Sequence, residues 1–168
     1  MLALTSFWAG LAMAAWFDAM HRRIPNLLNA SIAGIGLLMA SSGRGPIDLA
    51  TAGASMALCF GLMFLPFAVR IFRGGDLKLV VAGAAWLGPY DAALATVAGV
   101  ILGGLIALGM VLSDRRERRA LNANLWAAVF IDRLRAPEDI DHERPTVPMG
   151  IAFAITLAIA SLGGFEWL

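Results

Sequence analysis

Apolar residues run in six long blocks along the chain, and polar residues collect in the stretches between them. The blocks cover residues 2–20, 27–40, 47–72, 77–90, 92–112 and 147–168. Four blocks reach the ~20 residues that an α-helix needs to cross about 30 Å of hydrocarbon, whereas 27–40 and 77–90 are shorter. The pattern predicts an all-α, polytopic membrane protein with about six transmembrane helices.

The composition supports a bilayer as the solvent for most of the chain. Of 168 residues, 60% are hydrophobic and 15% are charged, too few polar groups to cover a soluble domain. We therefore expect a single membrane-embedded domain over residues 1–168. The net charge of +1 gives no reason to expect a nucleic-acid partner. The single cysteine, Cys59, excludes an internal disulfide and a four-cysteine zinc site, and we expect neither metal nor cofactor.

Basic residues indicate how the blocks cross the membrane. If all six cross and the N-terminus lies outside, every Lys and Arg except Arg44 falls in a cytoplasmic segment. That bias is the one expected of inner loops. The long polar segment at about 113–146 then forms a cytoplasmic loop. Within it, residues 121–134 have helical apolar spacing and predict an amphipathic helix on the inner membrane surface.

Two aspartates each lie at the end of an apolar block, where an ionised side chain is costly. Asp18 is followed by residues 22–26, Arg-Arg-Ile-Pro-Asn, whose proline separates the first helix from the second. Asp76 follows Gly74 and Gly75, which permit a tight turn and a close backbone approach. The predicted topology places both carboxyl groups at the cytoplasmic face. Two carboxyls that meet there suggest an acid/base pair that shares one proton.

Each of these residues also has a structural interpretation that the sequence leaves open. Asp18 could pair with Arg22, one helical turn further along. Asp76 could be the N-cap of the fourth helix. Lys78 could face the carboxyl pair, or it could extend towards lipid phosphate at the membrane surface.

The order and spacing of the two motifs resemble those of the type IV prepilin peptidases, which are intramembrane aspartyl proteases. In that family the first catalytic aspartate precedes Arg-x-Ile-Pro-Asn, as Asp18 does here. The second lies in Gly-x-Gly-Asp-x-Lys-Leu, and residues 73–79 here read Arg-Gly-Gly-Asp-Leu-Lys-Leu. Arg73 stands where the family usually has its first glycine. The resemblance extends over the chain in size and number of spans, and it is closest to the short TadV/CpaA-like form of Flp/Tad pilus systems.

The resemblance implies a multi-pass aspartic endopeptidase of the bacterial inner membrane. It would remove the basic leader from type IVb or Flp-like pilin precursors and pseudopilins at the cytoplasmic face. The short form lacks the cysteine-rich region of longer members, so no methyltransferase activity is expected. The implied catalytic residues are Asp18 and Asp76. Residues implied to support the motifs or bind substrate are Arg23, Pro25, Asn26, Gly74, Gly75 and Lys78.

Two other classes of function compete with this interpretation. A small proton-coupled transporter or channel subunit would use the aspartates as a proton relay. Such a relay would place its carboxyls along a path through the membrane, whereas the predicted topology puts both at one face. A non-catalytic assembly protein of a pilus or secretion system would tolerate conversion of either aspartate to asparagine.

Overall fold

The computed structural model describes residues 2–21, 23–68, 72–113 and 149–163. These residues form six α-helices and no strand, which confirms the predicted all-α class. The helices are α1 (Leu2–His21), α2 (Asn26–Ser41), α3 (Leu49–Ala68), α4 (Gly74–Ala84), α5 (Pro89–Ser113) and α6 (Met149–Ala160). The predicted amphipathic helix at 121–134 and most of the predicted cytoplasmic loop lie outside the described residues.

The helix boundaries differ most from the predicted blocks around α4. The helix begins at Gly74, three residues before the predicted block 77–90, and it ends at Ala84. Pro89 then begins α5. Proline suits the first position of a helix because the backbone N–H it lacks would have no partner there. The predicted break at residue 91 was therefore wrong, and apolar residues 85–88 form a turn.

Two helices within the described residues are long and apolar enough to cross a membrane. They are Leu49–Ala68 and Pro89–Gly109, while the apolar segments Asn26–Ser41 and Met149–Ala160 are shorter. The outer surfaces of the helices carry large apolar side chains, including Leu27, Leu38 and Leu65. Exposed apolar surface of this extent is typical of contact with lipid or another apolar partner. Six crossings and an external N-terminus remain predictions.

Contacts divide the chain into two compact units. One comprises Met1–Gly103 with Pro148–Leu168, and the other comprises Gly104–Val147. The first unit holds α1 to α4, most of α5 and α6. The described part of the second unit is the remainder of α5. A single domain over the whole chain stays a prediction.

Helix α4 lies among three others in the first unit, packing against α2, α3 and α6, while α1 packs against α2 and α6. The residues that follow α4 are held by buried contacts. The Trp86 Nε1–H group donates to the carbonyl of Ile32 at 2.9 Å, and the Trp86 ring stacks on Phe7 with 5.1 Å between centroids. The Ser55 hydroxyl donates to the carbonyl of Leu87 at 2.7 Å. This end of α4 is therefore fixed by satisfied polar groups and aromatic packing.

Candidate active site

Two carboxyl groups are buried among the described residues, and they are those of Asp18 and Asp76. Each side chain is 6% exposed. Asp18 lies in the last turn of α1, and Asp76 lies in the first turn of α4. Burying a carboxylate costs several kcal/mol unless its surroundings compensate, so a buried pair indicates a functional site. The sequence prediction singled out both residues.

The start of α6 passes directly against Asp18. A methyl group added at Gly150 would lie 2.8 Å from Asp18 Oδ2 and 2.8 Å from Ile24 Cδ1. Contacts that short essentially never occur, so a side chain at this point of α6 would force the Asp18 carboxyl or the Ile24 side chain to move. Ile24 also approaches α4, since a side-chain carbon built at Gly75 would lie 3.8 Å from Ile24 Cβ. The residues around Asp18 therefore come from α1, α6 and the segment between α1 and α2.

Asp76 occupies the third position of α4 and is not its N-cap. The N-cap is Arg73, and its backbone N–H donates to Asp76 Oδ2 at 3.2 Å. This bond satisfies one backbone donor at the helix start and fixes the orientation of the carboxyl. Arg73 has φ −84° and ψ 155°, an extended conformation that any residue adopts. Arginine in place of the family's usual glycine therefore causes no backbone strain.

Asp18 and Asp76 interact electrostatically. Asp76 lies just before the predicted fourth span, 77–90. Burial of the Asp76 carboxyl raises its pKa to about 6. The N–H of Arg73 opposes this rise in the pKa, whereas the negative charge of Asp18 adds to it. A carboxyl with such a pKa exchanges a proton close to neutral pH, as an acid/base group must.

The two motif glycines start α4 and do not form the tight turn that glycines permit. Neither Gly74 nor Gly75 has a positive φ. A side-chain carbon added at Gly74 would lie 3.6 Å from Phe67, and the corresponding carbon at Gly75 also meets only ordinary contacts. The fold therefore leaves room for a side chain at both positions.

Two of the remaining motif residues, Lys78 and Asn26, join α4 to α2. The Lys78 ammonium donates to Asn26 Oδ1 at 2.8 Å, so its described hydrogen bond is to α2 and not to the carboxyl pair. Pro25 precedes α2 as its N-cap. Arg23 is exposed, and Arg22, the alternative partner of Asp18, lies outside the described residues.

A groove of about 480 Å³ opens beside these residues, between α2 and α4 and next to Phe60 of α3. Asn26, Asn29 and Lys78 line it together with small and apolar side chains. Successive residues of a helix are 100° apart, so Lys78 and Asp76 point to different sides of α4. The groove and the carboxyl pair therefore lie on different sides of the first turn of α4.

Two residues that contact the site were not among the predicted site residues. Gly150 lies against Asp18, and the sequence signal for it is that residues 147–150, Val-Pro-Met-Gly, loosely match the Pro-x-Gly element found at the start of the last helix in the resembled family. Asn29 is 4% exposed, and its amide Nδ2–H group donates to the carbonyl of Gly75 at 3.4 Å. A polar residue inside an apolar block, one turn after Asn26, could have drawn attention to it.

Comparison with known protein families adds independent information. The model of the type IV leader peptidase family matches residues 5–108, more than half of the chain. The chain belongs to the type IV leader peptidase family. Searches of curated proteins and of solved structures find no match.

Membership in the type IV leader peptidase family makes this protein a peptidase of a membrane-embedded family, which confirms the family that the two motifs indicated. Both buried aspartates fall within the matched residues. Gly150 lies beyond them, so its place beside Asp18 is known from the fold alone.

Proposed function

We propose that this peptidase uses Asp18 and Asp76 as a catalytic pair to remove the leader from pilin precursors. The observation that carries the proposal is the convergence of α1, α4 and α6 on two buried, interacting carboxyls. The substrates would be type IVb or Flp-like precursors and pseudopilins, cut at the cytoplasmic face of the bacterial inner membrane. Cleavage would proceed without methylation of the new N-terminus.

The chemistry follows from one proton shared by two carboxyls. The ionised aspartate takes a proton from a water molecule, whose oxygen attacks the scissile carbonyl carbon. The protonated aspartic acid donates to the carbonyl oxygen and stabilises the charge that develops there. Proton transfer to the amide nitrogen then allows the C–N bond to break. The proton belongs to the pair, so the titration of the pair does not assign the base to one aspartate.

Convergence of both carboxyls on one place also bears on the alternative functions. A proton relay needs groups spaced along a route across the membrane. Here the two buried carboxyls of the described residues interact electrostatically. This arrangement favours acid/base chemistry at one point.

Co-expression with a candidate Flp-like pilin precursor tests the proposal through the mobility shift on cleavage. Asp18→Asn and Asp76→Asn should each leave the precursor uncut while the protein still accumulates in the membrane. Asp91→Asn, the same change in the first turn of α5, is the matched control and should cleave normally. Normal processing by either dyad variant would refute the proposal.

A further inference from the structure

Asn29 is a buried amide with only part of its hydrogen-bonding capacity used. Its Nδ2–H group donates to the carbonyl of Gly75, but its Oδ1 atom has no hydrogen-bond partner among the described residues. The orientation of the amide follows from the Gly75 carbonyl, which can only accept a hydrogen bond, so Nδ2 must face it. A leucine, whose side chain has the same number and branching of heavy atoms, would avoid burying an unsatisfied acceptor. Stability therefore does not explain an asparagine at this position.

The position of the Gly75 carbonyl gives Asn29 its significance. Gly75 immediately precedes Asp76, so the amide of Asn29 holds the peptide group that leads into the aspartate. Lys78 follows two residues later and is held by Asn26 from the preceding turn of α2. Two amides three residues apart on α2 thus hold the backbone before Asp76 and the side chain after it. Of the two contacts, the one from Asn29 is the more buried.

We propose that Asn29 is a positioning residue, which sets the orientation of the first turn of α4 and thereby the placement of the Asp76 carboxyl relative to Asp18. The inference rests on the proposed function, since it gives Asn29 a role in the reaction of that pair. Asn29 acts through the backbone of Gly75 and not on the substrate. A small displacement of a reacting group slows catalysis strongly. A role in holding the Asp76 carboxyl in place therefore explains why position 29 carries a polar residue that does not increase stability.

The opposite flank of α4 supplies a matched control. Ser55 lies on α3, is fully buried, and donates to the carbonyl of Leu87 just after α4. Ser55 and Asn29 thus play matching parts, because each donates from a neighbouring helix to a backbone carbonyl. Asn29 donates to a carbonyl in the first turn of α4, and Ser55 donates to one that follows α4. The hydroxyl of Ser55 lies by the turn after α4, away from the first turn that carries Asp76. Removing it should affect folding and leave the chemistry intact.

The test compares Asn29→Leu with Ser55→Ala in purified protein. It measures kcat and KM for cleavage of the pilin precursor, and it measures the unfolding temperature. Asn29→Leu should lower kcat by about tenfold to 100-fold, with KM within about threefold of wild type and an unfolding temperature that is unchanged or higher. Ser55→Ala should show the reverse, a lower unfolding temperature with an unchanged kcat. Wild-type kcat in Asn29→Leu would overturn the proposal. So would a loss of kcat accompanied by a fall in unfolding temperature like that of Ser55→Ala.

Failure of the proposed function can be distinguished from failure of the Asn29 proposal. If the proposed function is wrong, Asp18→Asn or Asp76→Asn will still cleave the precursor.

Discussion

The two ends of α4 differ in how their polar groups are satisfied. After its last turn, Trp86 donates to Ile32, and the carbonyl of Leu87 accepts from Ser55. At its first turn, Asp76 is buried and interacts with the buried Asp18, and Asn29 keeps an acceptor that no described residue satisfies. Unsatisfied buried polar groups cost about 1–3 kcal/mol each. One end therefore stabilises the fold, and the other retains costly groups to which we assign a role in the proposed reaction.

The packing of the short helix α4 against three other helices allows its two ends to differ in this way. Contacts with α2, α3 and α6 hold α4, and the aromatic packing after its last turn fixes that end. The first turn can then carry groups that would destabilise a less supported helix. Active sites commonly contain destabilising groups, which the fold tolerates because the surrounding structure is stable.

The largest effect among the following predictions is expected at Gly150, where α6 contacts Asp18. Gly150→Ala should lower cleavage by about 10-fold to 100-fold, because the added methyl would displace the Asp18 carboxyl or Ile24. Overpacking of this kind also costs about 1–3 kcal/mol of stability. The measurement is the cleavage rate of purified protein, normalised to folded enzyme.

Gly53→Ala in α3 is the control for that substitution, because nothing lies within 4 Å of the added methyl. It should keep the wild-type cleavage rate and gain up to about 1 kcal/mol of stability. Equal cleavage by the Gly150 and Gly53 variants would show that close packing at Asp18 is not required.

A smaller effect, on stability alone, is expected after the last turn of α4. Trp86→Phe keeps an aromatic ring against Phe7 but removes the donor to the Ile32 carbonyl. The loss should be about 1–2 kcal/mol in the free energy of unfolding, measured by denaturant titration in detergent. The kcat of the folded variant should match wild type. If Trp86→Phe lowered kcat as far as Asn29→Leu does, the proposed functional difference between the two ends of α4 would be contradicted.

The smallest effect is expected at Arg73, which occupies the position of the family's usual glycine. Its backbone is extended, so Arg73→Gly relieves no strain and should change kcat by less than about threefold. The positive charge of Arg73 lowers the pKa of Asp76, so its removal should raise that pKa above about 6. Infrared titration of the carboxyl band measures this change. A large gain in kcat would mean that arginine distorts the first turn of α4.

Much of this fold followed from the hydrophobic pattern, and the pair of aspartates followed from their flanking motifs. Apolar blocks predict helices well, because a chain in lipid must satisfy its backbone internally. The pattern failed at residues 85–88, where apolar side chains form a turn that Trp86 anchors in the core. Periodicity does not reveal a turn whose side chains are buried.

The rest of the site could not be read from local sequence, because it depends on contacts between distant segments. Gly150 contacts Asp18 across 132 positions of the chain. Asn29 reaches Gly75 from the second helix. The sequence also suggested an N-cap role for Asp76, whereas the structure places Arg73 there and Asp76 at the third position of the helix. A one-turn shift in where a helix begins was enough to change that assignment.

The most direct test of the central claim is a double-mutant cycle on the two carboxyls. Single-turnover cleavage of a pilin precursor would be measured in proteoliposomes for wild type, Asp18→Asn, Asp76→Asn and the double variant. If the carboxyls share one proton and act as a unit, each single variant loses nearly all cleavage, and the double variant is no slower than either. Independent effects that multiply in the double variant, or substantial cleavage by one single variant, would contradict a catalytic pair.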